Sequence, residues 1–317
     1  MPRPTAPPAR PASGSADWTH RTERGSRQML RVMTWLSLHF GRRLSRVVLH
    51  SITLYYVLFA PVACRHSRAY LCRALGRKPT LRDVYRHILS FASTIHDRVF
   101  LLNGRYDIFN VSTEGEPLVK GAHDRKEGAF LMGAHLGSFE VTRAVGHQQS
   151  GLEVAMAMYA DNARKINAAL IAINPSLETD IIEIGHMSAM LDIRARLEAG
   201  NFVGMLGDRS PGNEDCQQVS FLGSAAAFPT GPMRAAAMLR RRVYFMAGFY
   251  LGSNRYHVVF EPLADFADVG PAERAAAVHS AVDAFAATVE RHCRRYPYNW
   301  FNFFDFWKPR PTPAPHA

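Results

Sequence analysis

Within the run from Ala129 to Glu140, an apolar segment delivers His135 to the turn Gly137-Ser138, and a carboxylate, Glu140, follows five residues after the imidazole. An imidazole titrates near neutrality, and a carboxylate on one ring nitrogen fixes the tautomer and leaves the other nitrogen free to take a proton. Residues 129 to 134 read as a short buried strand and residues from about 138 to 147 as a helix, so His135 falls at a strand's C-terminal end. Open α/β sheets place their sites there. On one helix a five-residue offset would splay the two side chains, but a histidine in the preceding turn can fold back onto the first helical turn. His135 and Glu140 are therefore expected to pair as a base and its orienting acid, able to activate a hydroxyl or an amine. The plainer alternative is a loop or core histidine satisfied by its neighbours.

One further stretch shares this layout, and another stands apart. Phe202 to Leu206 is an apolar strand that ends in Gly207-Asp208-Arg209 and then Ser210-Pro211-Gly212, placing an acid and a base at a second strand end. They form either a solvated ion pair or part of a site. The stretch from Phe221 to Pro232 is small and apolar for a loop and leads into a helix starting near Pro232. Its Ala and Gly residues suit close approach by a long flat ligand, with helix amides available to an anion, and equally suit tight helix-to-sheet packing. Near the C-terminus eight aromatics crowd residues 296 to 308, a density typical of core or of membrane-interface anchoring.

The elements that must position these residues alternate. Strands are expected near 129–134, 153–158, 180–184, 202–206, 243–250 and 256–260, and helices near 138–147, 162–173, 187–199, 229–241 and 271–294. This pattern predicts an α/β fold, a mixed central sheet flanked by helices. Upstream, Thr80 caps a long helix running through Val84, Ile88, Phe91, Ile95, Val99 and Leu102, and Asn103-Gly104 ends it. The most hydrophobic stretch, Val47 to Ala63, is flanked by Arg42, Arg43 and Arg46 on one side and Arg65 and Arg68 on the other. At roughly 17 residues it is borderline for a bilayer span. A helix lying in the headgroup region, with its tyrosines and snorkelling arginines at the interface, fits better, and a buried core helix is the alternative.

The chain has 317 residues, 47% of them hydrophobic, enough for a full core. The layout divides it into a disordered tail over 1–28, a helical membrane-associating region over 29–104, an α/β domain over 105–308 and a second tail over 309–317. With 38 basic against 27 acidic residues, the net charge of +11 favours anionic lipid surfaces, acidic proteins or nucleic acid. Nucleic-acid binding is not expected, because zinc-finger spacing, an RNP-type aromatic strand and a long basic helix are all missing. Cys64, Cys72, Cys216 and Cys293 are far apart and read as reduced, cytosol-side thiols. The start does not read as a signal peptide, so export is not expected.

Taken together these segments resemble the lysophospholipid acyltransferase superfamily, in the branch of the lipid A biosynthesis (lauroyl/myristoyl) acyltransferases. His135-Leu136-Gly137-Ser138-Phe139-Glu140 is similar to the family's H-x4-D/E motif and Gly207-Asp208-Arg209 to its strand-end Asp-Gln. Phe221 to Pro232 resembles its F-x-G-x-x-A-x-x-P-x-G/A-P block, and Tyr298 to Phe303 its closing tryptophan signature. The resemblance spans roughly residues 30 to 308. His-Leu-Gly-Ser-Phe-Glu and Met-Leu-Gly-Asp-Arg also look like the acyltransferases found with aryl-polyene and xanthomonadin-type pigment biosynthesis. Two departures stand out: Arg209 replaces the family's glutamine, and its second-block arginine has no counterpart between Asn174 and Asp180.

The resemblance implies a glycerol-3-phosphate acyltransferase-like fold and a membrane-associated enzyme on the cytoplasmic face of a bacterial inner membrane. It implies acyl transfer from an acyl carrier protein thioester to a lipid hydroxyl or amine, without a cofactor. His135 and Glu140 would be catalytic, and Gly137, Ser138, Arg164, Asp208, Arg209, Gly223, Phe228 and Gly231 would contact substrate, with Arg209 or Arg164 serving the oxyanion or headgroup. Ser138 would not be a nucleophile. Two other readings stand beside it: a hydrolase with a metal on His135, His186 and Asp208, and a non-catalytic membrane partner of a synthase.

Overall fold

The computed structural model describes residues 27–150, 154–174, 180–209 and 215–308. The expected tails lie outside these, except that residues 27 and 28 already belong to the first helix; Ser210-Pro211-Gly212 also lies outside. Three helices come first: α1 (Arg27–Phe59), α2 (Pro61–Leu75) and α3 (Leu81–Leu102). The cap expected at Thr80 is a full capping box, in which the Thr80 hydroxyl accepts from the Asp83 amide and the Asp83 carboxylate accepts from the Thr80 amide. The apolar stretch 47–63, expected as one helix, is divided at Ala60, and α1 and α2 meet at 94°. Pro61 sets that break, since proline suits the first turn of a new helix and not the interior of an old one. Gly41, at φ 75° and ψ 166°, kinks α1 further upstream.

Beyond α3 the chain runs β1 (Asn110–Glu114), α4 (Glu116–Asp124), β2 (Phe130–Gly133), α5 (Phe139–Ser150), β3 (Val154–Tyr159), α6 (Ala160–Ile173), β4 (Ile181–Ile184), α7 (Met187–Glu198) and β5 (Phe202–Leu206). It continues through β6 (Cys216–Phe221), β7 (Ser224–Pro229), α8 (Gly231–Met238), β8 (Arg242–Gly252), β9 (Arg255–Asp265) and α9 (Arg274–Arg295). Seven strands form one mixed sheet in the order β1-β9-β8-β2-β5-β3-β4. Every pairing in it is parallel except the β8–β9 hairpin. The expected mixed sheet flanked by helices is the observed architecture.

Alternate residues of the central strands serve two cores, as a sheet covered on both faces requires. Phe130, Met132, Val203, Phe245 and Phe249 pack with Val282, Phe285 and Val289 of α9 on one face. Leu131, Phe202, Tyr244 and Met246 pack with Val99 of α3, Val141 of α5 and Leu170 of α6 on the other.

The structure adds β1, α4 and one further motif to the expected elements. The loop expected over Phe221 to Pro232 is largely an antiparallel hairpin of β6 and β7, with Cys216 opposite Pro229 and Phe221 opposite Ser224. Of the two roles expected for this stretch, the small residues of β7 serve packing. Ala226, Ala227 and Phe228 are buried, as packing requires.

Candidate active site

Strand β2 is buried along its whole length and ends at Gly133, opposite Leu206 at the end of the parallel strand β5. His135 and Asp208 each lie two residues beyond those positions. Adjacent parallel strands thus bring together two side chains 73 positions apart. Nδ1 of His135 lies 2.8 Å from Oδ1 of Asp208, and the His135 backbone amide donates to Oδ2 at 3.1 Å. A carboxylate only accepts, so Nδ1 carries the proton and Nε2 presents its lone pair. The His135 side chain is 30% exposed, whereas Asp208 is fully buried.

The turn after His135 closes against β8. Gly137 has φ +76°, and a Cβ there would lie 2.1 Å from the carbonyl oxygen of Gly248. A Cβ on Gly248 would in turn meet the Ser138 carbonyl oxygen at 2.5 Å. Both glycines are needed for this approach, which the Ser138 amide uses to donate to the Gly248 carbonyl at 2.7 Å. The C-terminal segment seals the other side: the Gly137 amide donates to the Asn299 carbonyl and the Phe301 amide to the His135 carbonyl, each at 2.8 Å. Asn299 is itself tied to both backbone groups of Tyr250.

That segment also completes the surroundings of Asp208. The Trp300 indole N–H (3.1 Å) and the Asn302 amide (3.0 Å) both donate to Oδ2. Oδ2 thereby takes three donors while Oδ1 serves His135. Burial alone would raise the Asp208 carboxyl, but His135, by charge and hydrogen bond, and then Arg209 and Asn302 outweigh it and hold the group well below the usual carboxylate range. His135 moves down from its ordinary value, through burial first and the positive charge of Arg209 second, against the opposing pull of Asp208. The imidazole is therefore neutral at physiological pH, the form a general base needs. Arg209 donates to Oδ1 of Asn302 at 2.6 Å and to the Phe301 carbonyl at 2.9 Å, and its guanidinium lies 5.4 Å from the Phe304 ring centre. Burial brings its pKa down to about 10.

The expected partnership of His135 with Glu140 takes a different form. Nδ1 belongs to Asp208, and Glu140, in the first turn of α5, is engaged by Arg98 of α3, with Nε to Oε1 2.6 Å. The reason is geometric: Gly137 turns the chain back onto β8, and α5 then runs off along the sheet face toward α3. Ser138 is buried, accepts from the Val141 amide at 3.4 Å and donates to Glu140 at 3.3 Å, so its hydroxyl serves the start of α5.

Of the remaining expected contacts, Asp208 and Arg209 join His135, not as a solvated pair but as buried or half-buried groups. Arg164 is exposed on α6, the helix after β3. Gly223 is at the exposed tip of the β6–β7 hairpin at φ +77°. Phe228 is in the core, edge-on to Phe221 and Phe285. Gly231 begins α8 beside a cleft of about 370 Å³ lined also by Met190, Asp215 and Arg234. A larger cleft of about 570 Å³, lined by Pro117, Arg125, Arg242 and Tyr244, lies at the start of β8, the opposite end of the sheet from His135. The trio His135, His186 and Asp208 does not assemble, because His186 follows β4, two strands from β5. Among the described residues no three His, Cys, Asp or Glu side chains are grouped to hold a metal ion.

Sequence reasoning placed Trp300 and Asn302 in a family signature without giving them a task. The signal was an amide and an indole, both donors, inside an otherwise apolar run. No curated protein matches this chain. Residues 98–309, well over half of its length, match the family described as bacterial lipid A biosynthesis acyltransferase, beginning at the Arg98 that meets Glu140 and ending just past the aromatic segment that seals the histidine turn. The chain belongs to that acyltransferase family.

Proposed function

We propose that this acyltransferase moves an acyl chain from an acyl carrier protein thioester to a hydroxyl or amine of a lipid acceptor, at the cytoplasmic face of a bacterial inner membrane. His135 is the general base. Nε2 takes the acceptor's proton as its oxygen or nitrogen attacks the thioester carbonyl; collapse of the tetrahedral adduct expels the carrier's thiolate, which is reprotonated from the imidazolium. Asp208, in place of the expected Glu140, holds the tautomer and stabilises the imidazolium. The guanidinium of Arg209, beside the imidazole, supplies positive charge for the oxyanion. With the Ser138 hydroxyl committed to α5, direct transfer in a ternary complex is simpler than an acyl-enzyme.

The observation that carries this reading is the hydrogen bond from Nδ1 of His135 to a buried, fully engaged carboxylate, with Nε2 on the solvent side, in a chain of an acyltransferase family.

The membrane setting rests on α1, which buries several polar residues beside Leu49 and exposes much of its apolar surface. Thr34, Ser37, Ser45 and Thr53 are buried, while Trp35, Phe40, Leu44, Val47, Leu54, Leu58 and Phe59 are more than half exposed. An exposed apolar face of this extent marks an interaction surface, and a lipid surface suits a helix flanked by arginines. Among the described residues no single helix is long and apolar enough to cross a membrane. Arg42, expected to snorkel, instead makes a two-pronged ion pair with buried Asp97 of α3, fastening α1 to the rest of the protein.

The test is incubation of the purified full chain with alkyl and aryl-polyene thioesters of acyl carrier protein and candidate lipid acceptors. Acylated product from the native chain, falling on the order of 10²- to 10⁴-fold in His135→Ala, is the expected result. A folded His135→Ala with native rates would overturn the proposal.

A further inference from the structure

Behind Trp300 lies a second histidine that the chemistry above does not use. His87 of α3 is fully buried. Its Nε2 lies 2.8 Å from the Trp300 carbonyl oxygen and its Nδ1 2.9 Å from the Ser67 hydroxyl of α2. A carbonyl only accepts, so Nε2 carries the proton and Nδ1 accepts from Ser67. The ring lies among Tyr70 (5.3 Å), Phe303 (4.8 Å) and Phe301 (6.1 Å), and Tyr70 also packs on Trp300 at 5.0 Å. Burial brings the His87 pKa down to about 4 against the opposing pull of the Trp300 carbonyl, so the ring stays neutral and keeps this donor and acceptor pattern.

An imidazole enclosed by aromatic rings is costly to bury unless both nitrogens are satisfied, and here both are. The bond it makes is to the residue whose indole N–H reaches Oδ2 of Asp208. Hydrogen bonds therefore run without a gap from Ser67 through His87 to the Trp300 carbonyl, and from the Trp300 indole through Asp208 to His135.

We infer that His87 is a positioning residue for the His135–Asp208 pair: by holding the Trp300 carbonyl it keeps the indole N–H on Oδ2, so that Oδ1 stays aimed at Nδ1 of His135. This rests on the reading of His135 as the base. Without the indole donor the Asp208 charge is less dispersed and attracts the imidazolium more strongly, so the His135 pKa rises. Loosened aim also slows proton removal while leaving substrate contacts in place.

The experiment compares native full-length protein with His87→Leu, His87→Gln and Ser67→Ala. The glutamine amide retains an N–H within reach of the Trp300 carbonyl. Each protein is ¹⁵N-labelled at histidine and tryptophan, checked by thermal melting, and followed by NMR for the His135 titration and the Trp300 indole N–H. In His87→Leu the indole resonance should shift, the His135 pKa should rise, and kcat should fall on the order of tenfold with KM nearly unchanged. His87→Gln should restore all three toward native, and Ser67→Ala should show a smaller change of the same sign. Should His87→Leu not fold, the glutamine and alanine variants carry the comparison. A His135 titration and indole resonance unmoved in a folded His87→Leu, or in Ser67→Ala where the leucine variant does not fold, would overturn the inference. So would a folded His87→Gln as impaired as the leucine variant. Failure of the native protein to transfer acyl groups would instead count against the proposed function, while the NMR readouts still test the positioning.

Discussion

Replacing Asp208 by asparagine probes the site most directly, because the structure dictates how the new amide must sit. Oδ2 receives three donors, from the His135 amide, Trp300 and Asn302, and Oδ1 only one, from Nδ1 of His135. The asparagine oxygen is driven to the three-donor position, since placing its NH₂ there would leave three donors unmet at about 1–3 kcal/mol each. Its NH₂ then faces Nδ1. Reversing the Asn302 amide does not relieve this, because its oxygen is held by Arg209. Nδ1 must now accept, which moves the imidazole proton to Nε2 and leaves no lone pair where the acceptor substrate's proton would be taken. A wrong tautomer in an otherwise intact site costs about 10⁴-fold in a comparable histidine–aspartate pair, or about 5 kcal/mol of barrier. For Asp208→Asn we expect a loss of kcat between about 10²- and 10⁴-fold, with KM within about threefold and a native-like far-UV spectrum. Acyl-transfer kinetics and ¹⁵N imidazole shifts, which separate the two tautomers, measure both halves. A folded variant with kcat within about threefold of native, or with the Nδ1–H tautomer intact, would refute the reasoning.

Glu140→Gln leaves the His135–Asp208 bond in place and breaks only the ion pair with Arg98, so its loss of kcat should be at least tenfold smaller than that of Asp208→Asn; equal losses would return the orienting role to Glu140. Arg209 helps hold the His135 pKa down, and neutralising it removes a charge that disfavours imidazolium. The acidic limb of kcat/KM should therefore lie below pH 6.5 in the native chain and move to higher pH in Arg209→Met, and a limb that stays put or falls would argue against that coupling. Changing Trp35, Phe40 and Leu44 together to serine removes apolar contact without touching the Arg42–Asp97 bond. Sedimentation with anionic vesicles should drop several-fold at unchanged melting temperature, whereas undiminished sedimentation would exclude this face as the membrane contact.

Short-range regularities settled much of this protein from the sequence alone. Apolar runs of strand length at 129–134 and 202–206, helical spacing from Val84 to Leu102, and a capping threonine at Thr80 each depend on neighbours within a turn or two, and they emerged where expected. The same locality placed His135 and Asp208 at strand ends. It could not say that the two strands were adjacent: along the chain the nearest carboxylate to His135 is Glu140, yet in space Asp208 holds the ring. Only tertiary structure decided this, because the partner of a side chain at a strand end is set by which strands pair and in what register. Trp300 and Asn302 meet Asp208, and His87 meets Trp300, for the same reason: packing over long separations made those contacts, and no local pattern encodes them. In α1 the apolar run was legible, but the inward turn of Thr34, Ser37, Ser45 and Thr53 was not, since the direction of a helix face is fixed by what the helix packs against.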